Sequence, residues 1–341
     1  MKKYLERLMN REDLSIEEIK DAINCCFADD ITNTEISAFL TGLRIKGETT
    51  DEITGIVEVI RAQSDLNSIE LTNVMDNCGT GGDQSYSFNI STTAAFVIAG
   101  AGIKVAKHGN RSISSKTGSA DVLEELGVSL TFTKEHIEEL LTENNIAFLF
   151  APHVHTKLKH FMQVRKELGL PTIFNQIGPL TNPIDLDSQL IGVYHPDMLP
   201  KMGKVLRKLG RKRAIIVNGA GRMDEASLAG ENKVVLLADG KITAFSIHPE
   251  EVNLPVYSND AIRGGSARDN AQILLQVLKG TKGPHRDTVL FNAGLALYAN
   301  GIADTILTGI DLARESIDSG AAMEKLQKLI DYSKKITSKV I

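Results

Sequence analysis

A chain of 341 residues, 42% hydrophobic and 24% charged, has ample material for a large core with a smaller one beside it. A formal net charge of −5 argues against general nucleic-acid binding, so any anion site has to be local. Cys25, Cys26 and Cys78 show no CxxC spacing and fit a reducing compartment, and the charged start MKKYLERLMNRED lacks the apolar centre of a signal peptide. The expectation is a cytoplasmic protein without a membrane partner.

Residues 1–70 read as helices. Ser15 with Glu18, Thr32 with Glu35 and Thr49 with Glu52 have the spacing of capping boxes. Behind each box runs an apolar stripe at helical spacing: Ile16, Ile19, Ile23 and Phe27, then Ile36, Phe39, Leu40 and Leu43, then Ile53, Ile56, Val57 and Ile60. These stripes can close into a small bundle or serve as a dimer surface. A homodimer through this helical part is expected.

From residue 73 the texture changes. Short apolar runs at 103–106, 147–150, 190–193, 214–217 and 234–237 alternate with helical patterns at 134–143, 198–209 and 268–278. This predicts an α/β domain with a mostly parallel central sheet flanked by helices, beside a smaller all-helical domain. Ligand sites in such sheets lie beyond the carboxyl ends of the strands.

Three clusters suited to anions fall within residues 76–121. In Gly79-Thr80-Gly81-Gly82-Asp83 the glycines let backbone N–H groups close on an oxyanion. Asn89-Ile90-Ser91-Thr92 stands directly before a helical run at 93–101, so its hydroxyls cap a helix whose positive end favours phosphate. Lys107-His108-Gly109-Asn110-Arg111-Ser112-Ile113-Ser114-Ser115 gathers cations, an amide and hydroxyls. No GxxxxGK[ST] and no GxGxxG occurs here, which excludes a P-loop and a dinucleotide fold. Cys78, beside the glycines, reads as a small buried hydrophobe.

Further along, 151–160 holds His153, His155 and His160 without a Cys or carboxylate to complete a zinc set, so structural or pocket-lining roles are expected. A helix beginning near His153 places His155, Leu158, Met162 and Arg165 on one face, a pocket wall ending in a guanidinium. The proline-rich 169–183 reads as a crossover between domains. Asp224-Glu225, on a glycine-rich loop after the 214–217 strand, is either a solvated pair or a site for a hard cation such as Mg²⁺.

GTGGD, NIST, KHGNRSISS and GSAD, in this order and spacing, resemble the anthranilate phosphoribosyltransferase family of the nucleoside phosphorylase and phosphoribosyltransferase fold group. The likeness runs from the N-terminal helices to GPHRDTV at 283–289. It implies transfer of phosphoribose from 5-phospho-α-D-ribose 1-diphosphate to anthranilate, with Mg²⁺ on Ser91, Asp224 and Glu225. The donor site it implies comprises Gly79, Gly82, Asp83, Ser87, Asn89, Ile90, Ser91, Thr92, the whole run from Lys107 to Ser115, and Ser119. The acceptor site comprises Gly79, Asn110 and Arg165, lined by His108, Pro152 and His155. No dedicated acid or base is expected, because the aniline nitrogen is neutral and diphosphate is a good leaving group. The resemblance also implies a discontinuous small domain, 1–70 joined by helices from about 163–187, with 71–162 and 188–341 as the large one. Asn218 departs from the His expected there, and a backbone contact is expected instead.

Pyrimidine nucleoside phosphorylases share KHGNRSISS and GSAD, yet this chain is short for their extra domain, and Asp224-Glu225 and GPLTNP favour the transferase. A non-catalytic nucleic-acid-binding relative is expected to lose the acidic pair or Arg165 and to gain a basic patch, and neither is seen.

Overall fold

The computed structural model describes residues 1–111 and 117–338. The chain opens with α1 (Lys2–Met9), α2 (Ile16–Cys25), α3 (Asn33–Lys46) and α4 (Thr50–Ala62). All three capping boxes form: the hydroxyls of Ser15, Thr32 and Thr49 accept from the N–H groups of Glu18, Glu35 and Glu52, whose carboxylates accept in return. Glu52 is fully buried. Besides capping α4 it pairs with Lys46 at 2.8 Å and accepts the Leu14 N–H at 3.0 Å, which ties three segments together.

Of the two readings of the apolar stripes, the bundle is the one that forms. Ile19, Ile36, Phe39, Ile53 and Val57 are fully buried inside the chain, sharing one cluster with Phe161, Val164, Ile173 and Leu180 from far along the sequence. Four short helices cannot bury all their apolar surface on each other, so later segments complete the bundle.

Strand and helix then alternate: β1 (Val74–Gly79), α5 (Ile90–Gly100), β2 (Lys104–Gly109), α6 (Ser119–Glu125), α7 (Lys134–Glu143) and β3 (Ile146–Phe150). The short helices α8 (Ala151–Val154), α9 (Lys159–Leu168) and α10 (Phe174–Ile177) lead to β4 (Ser188–Gly192), α11 (Met198–Lys208) and β5 (Arg213–Asn218). A hairpin follows, β6 (Asn232–Ala238) and β7 (Lys241–Ile247), then α12 (Ala267–Leu278), α13 (Pro284–Asn300), α14 (Ile306–Asp318) and α15 (Ala321–Thr337).

The strands make one sheet of seven in the order β3-β2-β1-β4-β5-β6-β7. Pairing is parallel from β3 to β5 and antiparallel on to β7. Successive side chains of β5 part to opposite faces: Ile215 and Val217 join the core under the C-terminal helices, while Ala214 and Ile216 join the cluster that reaches through α11 into the N-terminal helices. Both faces are covered, which is why these strands read as continuous apolar runs. Among the described residues no helix is long and apolar enough to cross a membrane.

Candidate active site

The carboxyl ends of β1, β2, β3 and β4 open on one cavity of about 840 Å³. Every described residue of the donor, acceptor and metal sets inferred above lines it; Ser112, Ile113, Ser114 and Ser115 lie outside the described residues.

At the end of β1 the chain turns through Gly81 (φ 71) and Gly82 (φ 85), left-handed positions that side chains rarely adopt. Gly79 has a different reason. A Cβ there would stand 2.3 Å from Asp224 Oδ2, and one on Gly192, at the end of β4, would stand 1.5 Å from the Asp224 carbonyl oxygen. Two glycines at two strand ends thus let the loop after β5 lie against them. Gly81 N–H donates to Asp224 Oδ2 at 2.6 Å.

The second cluster is corrected in detail. α5 starts at Ile90, so Ser91 and Thr92 belong to its first turn and do not precede it, and the side chain of the N-cap residue Asn89 makes no capping hydrogen bond. Ser91 N–H instead donates to Glu225 Oε1 at 3.2 Å. The third cluster is also corrected, because Lys107, His108 and Gly109 are part of β2 and do not follow it. Lys107 is buried, donating to the Asn77 carbonyl at 2.5 Å with Ser91 Oγ at 3.5 Å. Asn110 accepts the Arg111 N–H on its own Oδ1, and Arg111 pairs with Asp121 and Glu124 on α6 at 2.7 and 2.8 Å.

Asp83, Asp224 and Glu225 crowd together. Burial lifts Asp224 well above the carboxylate range, with the charges of Asp83 and Glu225 adding to it. Burial also pushes Glu225 up to about 7, against the pull of Lys107 and Ser91. Asn218 donates to the Val193 carbonyl at 2.7 Å, a backbone contact as expected. Cys78 is half-buried at the cavity edge and not the fully buried hydrophobe expected; desolvation pushes its thiol up to about 12. Among the described residues no three His, Cys, Asp or Glu side chains converge as a complete ligand set.

The opposite wall is assembled differently. One helix from His153 to Arg165 does not exist: α8 starts at Ala151-Pro152, His155 leaves the helical region (φ −124, ψ 53), and α9 begins only at Lys159. His155, Leu158, Met162 and Arg165 nevertheless all reach the cavity, because the break reorients the chain without turning that side away. Arg165 lies over the Phe174 ring at 5.2 Å and donates to Asn175 Oδ1 at 3.4 Å; burial lowers its pKa.

His108 and His155 meet edge to face at 5.3 Å. Burial pushes His108 down to about 3, helped by the charges of His155 and Lys107, and pushes His155 down to about 4. Among the described residues, His108 Nε2 and both nitrogens of His155 are buried without a hydrogen-bond partner of normal geometry. His153 and His160 are held elsewhere, by the Phe132 carbonyl and by Asn33.

The sequence reading missed part of the site. Pro171, Phe174, Asn175, Ile177 and Thr181 line the cavity from the segment read as a crossover. Tyr194 was missed too, although the strand-end rule applied to β4 points to it.

A mostly parallel sheet that gathers a glycine loop, a helix start and a half-buried acidic pair at its carboxyl ends, under a helical bundle, defines a phosphate-handling transferase architecture. Residues 2–64 match the helical bundle domain of the glycosyl transferase family, and residues 71–323 its α/β domain. The curated anthranilate phosphoribosyltransferase of Oceanobacillus iheyensis is 57% identical over 340 residues, with all of both chains covered. That of Exiguobacterium sibiricum is also 57% identical, covering 96% of this chain and 97% of its own. Among solved structures, the Thermus thermophilus enzyme of that name superimposes with a TM-score of 0.90 at 37% identity, covering 97% of this chain and 99% of its own. The Saccharomyces cerevisiae enzyme in complex with PRPP and Mg gives a TM-score of 0.89 at 28% identity, covering 98% and 97%. This chain belongs to the anthranilate phosphoribosyltransferase family.

Proposed function

We propose the following roles in the reaction this chain carries out: transfer of phosphoribose from 5-phospho-α-D-ribose 1-diphosphate to anthranilate, releasing diphosphate, in tryptophan biosynthesis. The observation that carries these roles is what the anion-binding amides hold. Gly81 N–H and Ser91 N–H, one from the glycine loop and one from the first turn of α5, each donate to a carboxylate, Asp224 and Glu225. Backbone donors aimed at acidic side-chain oxygens at this cavity are donors of the kind a diphosphate needs.

Mg²⁺ fits the residues present. Asp224 and Glu225 are half-buried at the cavity wall, crowd each other and Asp83, and offer the hard oxygen ligands that this cation prefers. Ser91, Asp224 and Glu225 would hold it, and when bound it supplies charge neutralisation on the leaving diphosphate. Residues 79–83, the start of α5 and Ser119 bind donor phosphates, and Lys107 keeps a fixed positive charge beneath them. Ser87 and the 107–115 run complete the donor side.

Arg165 presents a forked cation to the acceptor carboxylate, and Gly79 and Asn110 orient its amine. Pro152 and the neutral His108 and His155 form an uncharged wall against the ring. The amine needs no base; it needs alignment with C1′.

The small domain comprises 1–70 and the helices of about 163–187, a division supported by the burial of Val164 and Ile173 among the N-terminal helices. Met9 and Ile45, 83% and 68% exposed on α1 and α3, support a homodimer through that domain.

One preparation tests these points. Anthranilate fluorescence should fall when the ribosyl diphosphate and Mg²⁺ are both present, and sedimentation should give twice 37.1 kDa. Turnover indifferent to Mg²⁺ would remove the metal role, and a monomer would remove the dimer.

A further inference from the structure

Asn270 lies on α12, 3% exposed and outside the cavity lining. Four hydrogen bonds close a ring through it. Gly265 N–H donates to Asn270 Oδ1 at 2.7 Å, and Asn270 Nδ2 donates to Asn89 Oδ1 at 2.8 Å. Asn89 Nδ2 donates to the Thr117 carbonyl at 3.3 Å, and Thr117 Oγ1 donates to the Gly265 carbonyl at 2.9 Å.

The sense of the ring is dictated by backbone groups. The Gly265 N–H only donates, so Asn270 must turn its oxygen there. The Thr117 carbonyl only accepts, so Asn89 must turn its nitrogen there. The two amides then meet donor to acceptor, and flipping either one breaks two links.

The links join three segments, and those of Asn89 and Thr117 line the cavity. Asn89 is the N-cap residue of α5, Thr117 stands two residues before the start of α6, and Gly265 and Asn270 flank the Ser266 cap of α12. Backbone contacts run alongside. Gly264 N–H donates to the Tyr86 carbonyl at 2.8 Å, and Phe88 N–H donates to the Ile262 carbonyl at 3.1 Å. A Cβ on Gly264 would stand 2.6 Å from Asn270 Oδ1 and 2.8 Å from Phe88 Cα, so the two strips lie in direct contact.

We propose that Asn270 is a positioning residue for donor binding. It touches no substrate; it closes the ring that sets the start of α5 against the start of α6, whose amides and hydroxyls face the cavity. An asparagine that only satisfied its own helix would need the Gly265 link alone. The link to Asn89, 181 residues away in sequence, serves nothing within α12. The inference rests on the roles given above to residues 89–92 and Ser119.

Asn270→Ala removes two links, Asn270→Asp keeps the Gly265 link but sets oxygen against Asn89 Oδ1, and Thr117→Val removes the fourth link at nearly constant shape. Each is expected to raise KM for the ribosyl diphosphate about tenfold, the equivalent of one buried hydrogen bond. KM for anthranilate should move far less. In Asn270→Ala, hydrogen exchange should quicken together at 89–92, 117–119 and 265, and adding Thr117→Val should cost little more, because the ring is already open.

The inference is overturned if folded variants leave donor KM unchanged, if both KM values rise equally, or if faster exchange stays within 265–270. Should Asn270→Ala not fold, Asn270→Asp and Thr117→Val decide by the same KM split. Wild-type protein that does not turn over the two substrates would instead overturn the roles on which the inference rests.

Discussion

On the side proposed for the donor the cavity is bounded largely by backbone: the turn after β1, the first turn of α5, and a loop pressed so close to β1 and β4 that only Gly79 and Gly192 fit beneath it. On the side proposed for the acceptor it is bounded by side chains, His155, Met162, Arg165 and Phe174, carried on short helices with a break between them. The contrast follows the ligands each side suits. Phosphate oxygens need donors at set positions, and backbone N–H groups anchored to a sheet supply them without losing side-chain freedom. A flat aromatic acid needs an apolar wall and one forked cation, which side chains provide.

The largest effect should come from the donor side. Asp224→Ala combined with Glu225→Ala is expected to lower kcat about 10³-fold at saturating Mg²⁺, the scale of losing preorganised charge stabilisation. Thermal stability should hold or rise, since two crowded acids whose charged forms are disfavoured are removed. Full Mg²⁺-dependent activity in the double variant would break the donor-side account.

A smaller and more selective effect is expected across the cavity. Arg165→Ala loses a charge-assisted hydrogen bond of about 1.5–3 kcal/mol, or about 10- to 150-fold in kcat/KM for anthranilate. Donor KM should scarcely move, and Arg165→Lys should recover part of the loss because an ammonium cannot fork across a carboxylate. Kinetics with each substrate varied in turn decide the matter; a variant that weakens the donor and spares anthranilate reverses the two sides.

The smallest effect is one of protonation. Burial holds His108 near pKa 3 and His155 near 4, both below the ordinary 6.5 of the imidazole. Below 6.5 the unfolded chain therefore binds more protons than the folded one. The stability tied to these groups is complete above 6.5 and is lost as pH falls toward 3–4. Their Cε1–H resonances should stay fixed between pH 5 and 8, and a midpoint near 6.5 in either would mean the acceptor wall is wet and charged.

Much of this molecule was legible because the physical demand was local. A capping box needs two residues three apart, so Ser15–Glu18, Thr32–Glu35 and Thr49–Glu52 were readable and all three formed. Left-handed turns need glycine, so Gly81 and Gly82 were readable. A strand covered on both faces must be apolar along its length, and β5 was. Two strands escaped for the same kind of reason. β1 carries the buried polar Asp76 and Asn77, and β7 is a largely exposed edge strand, so neither shows the apolar run.

What only the tertiary structure decided depends on sheet order and not on spacing. Asp224 meets Gly79 and Gly192 because β1, β4 and β5 are neighbours in the sheet, and no sequence interval records that. Residues 171–181 look like a linker because their prolines and amides forbid regular structure, yet the fold lays them along the acceptor wall. Asn270 looks like any polar residue in the first turns of a helix. Its role depends on Asn89 and Thr117 coming within hydrogen-bond reach, and tertiary packing alone sets that distance.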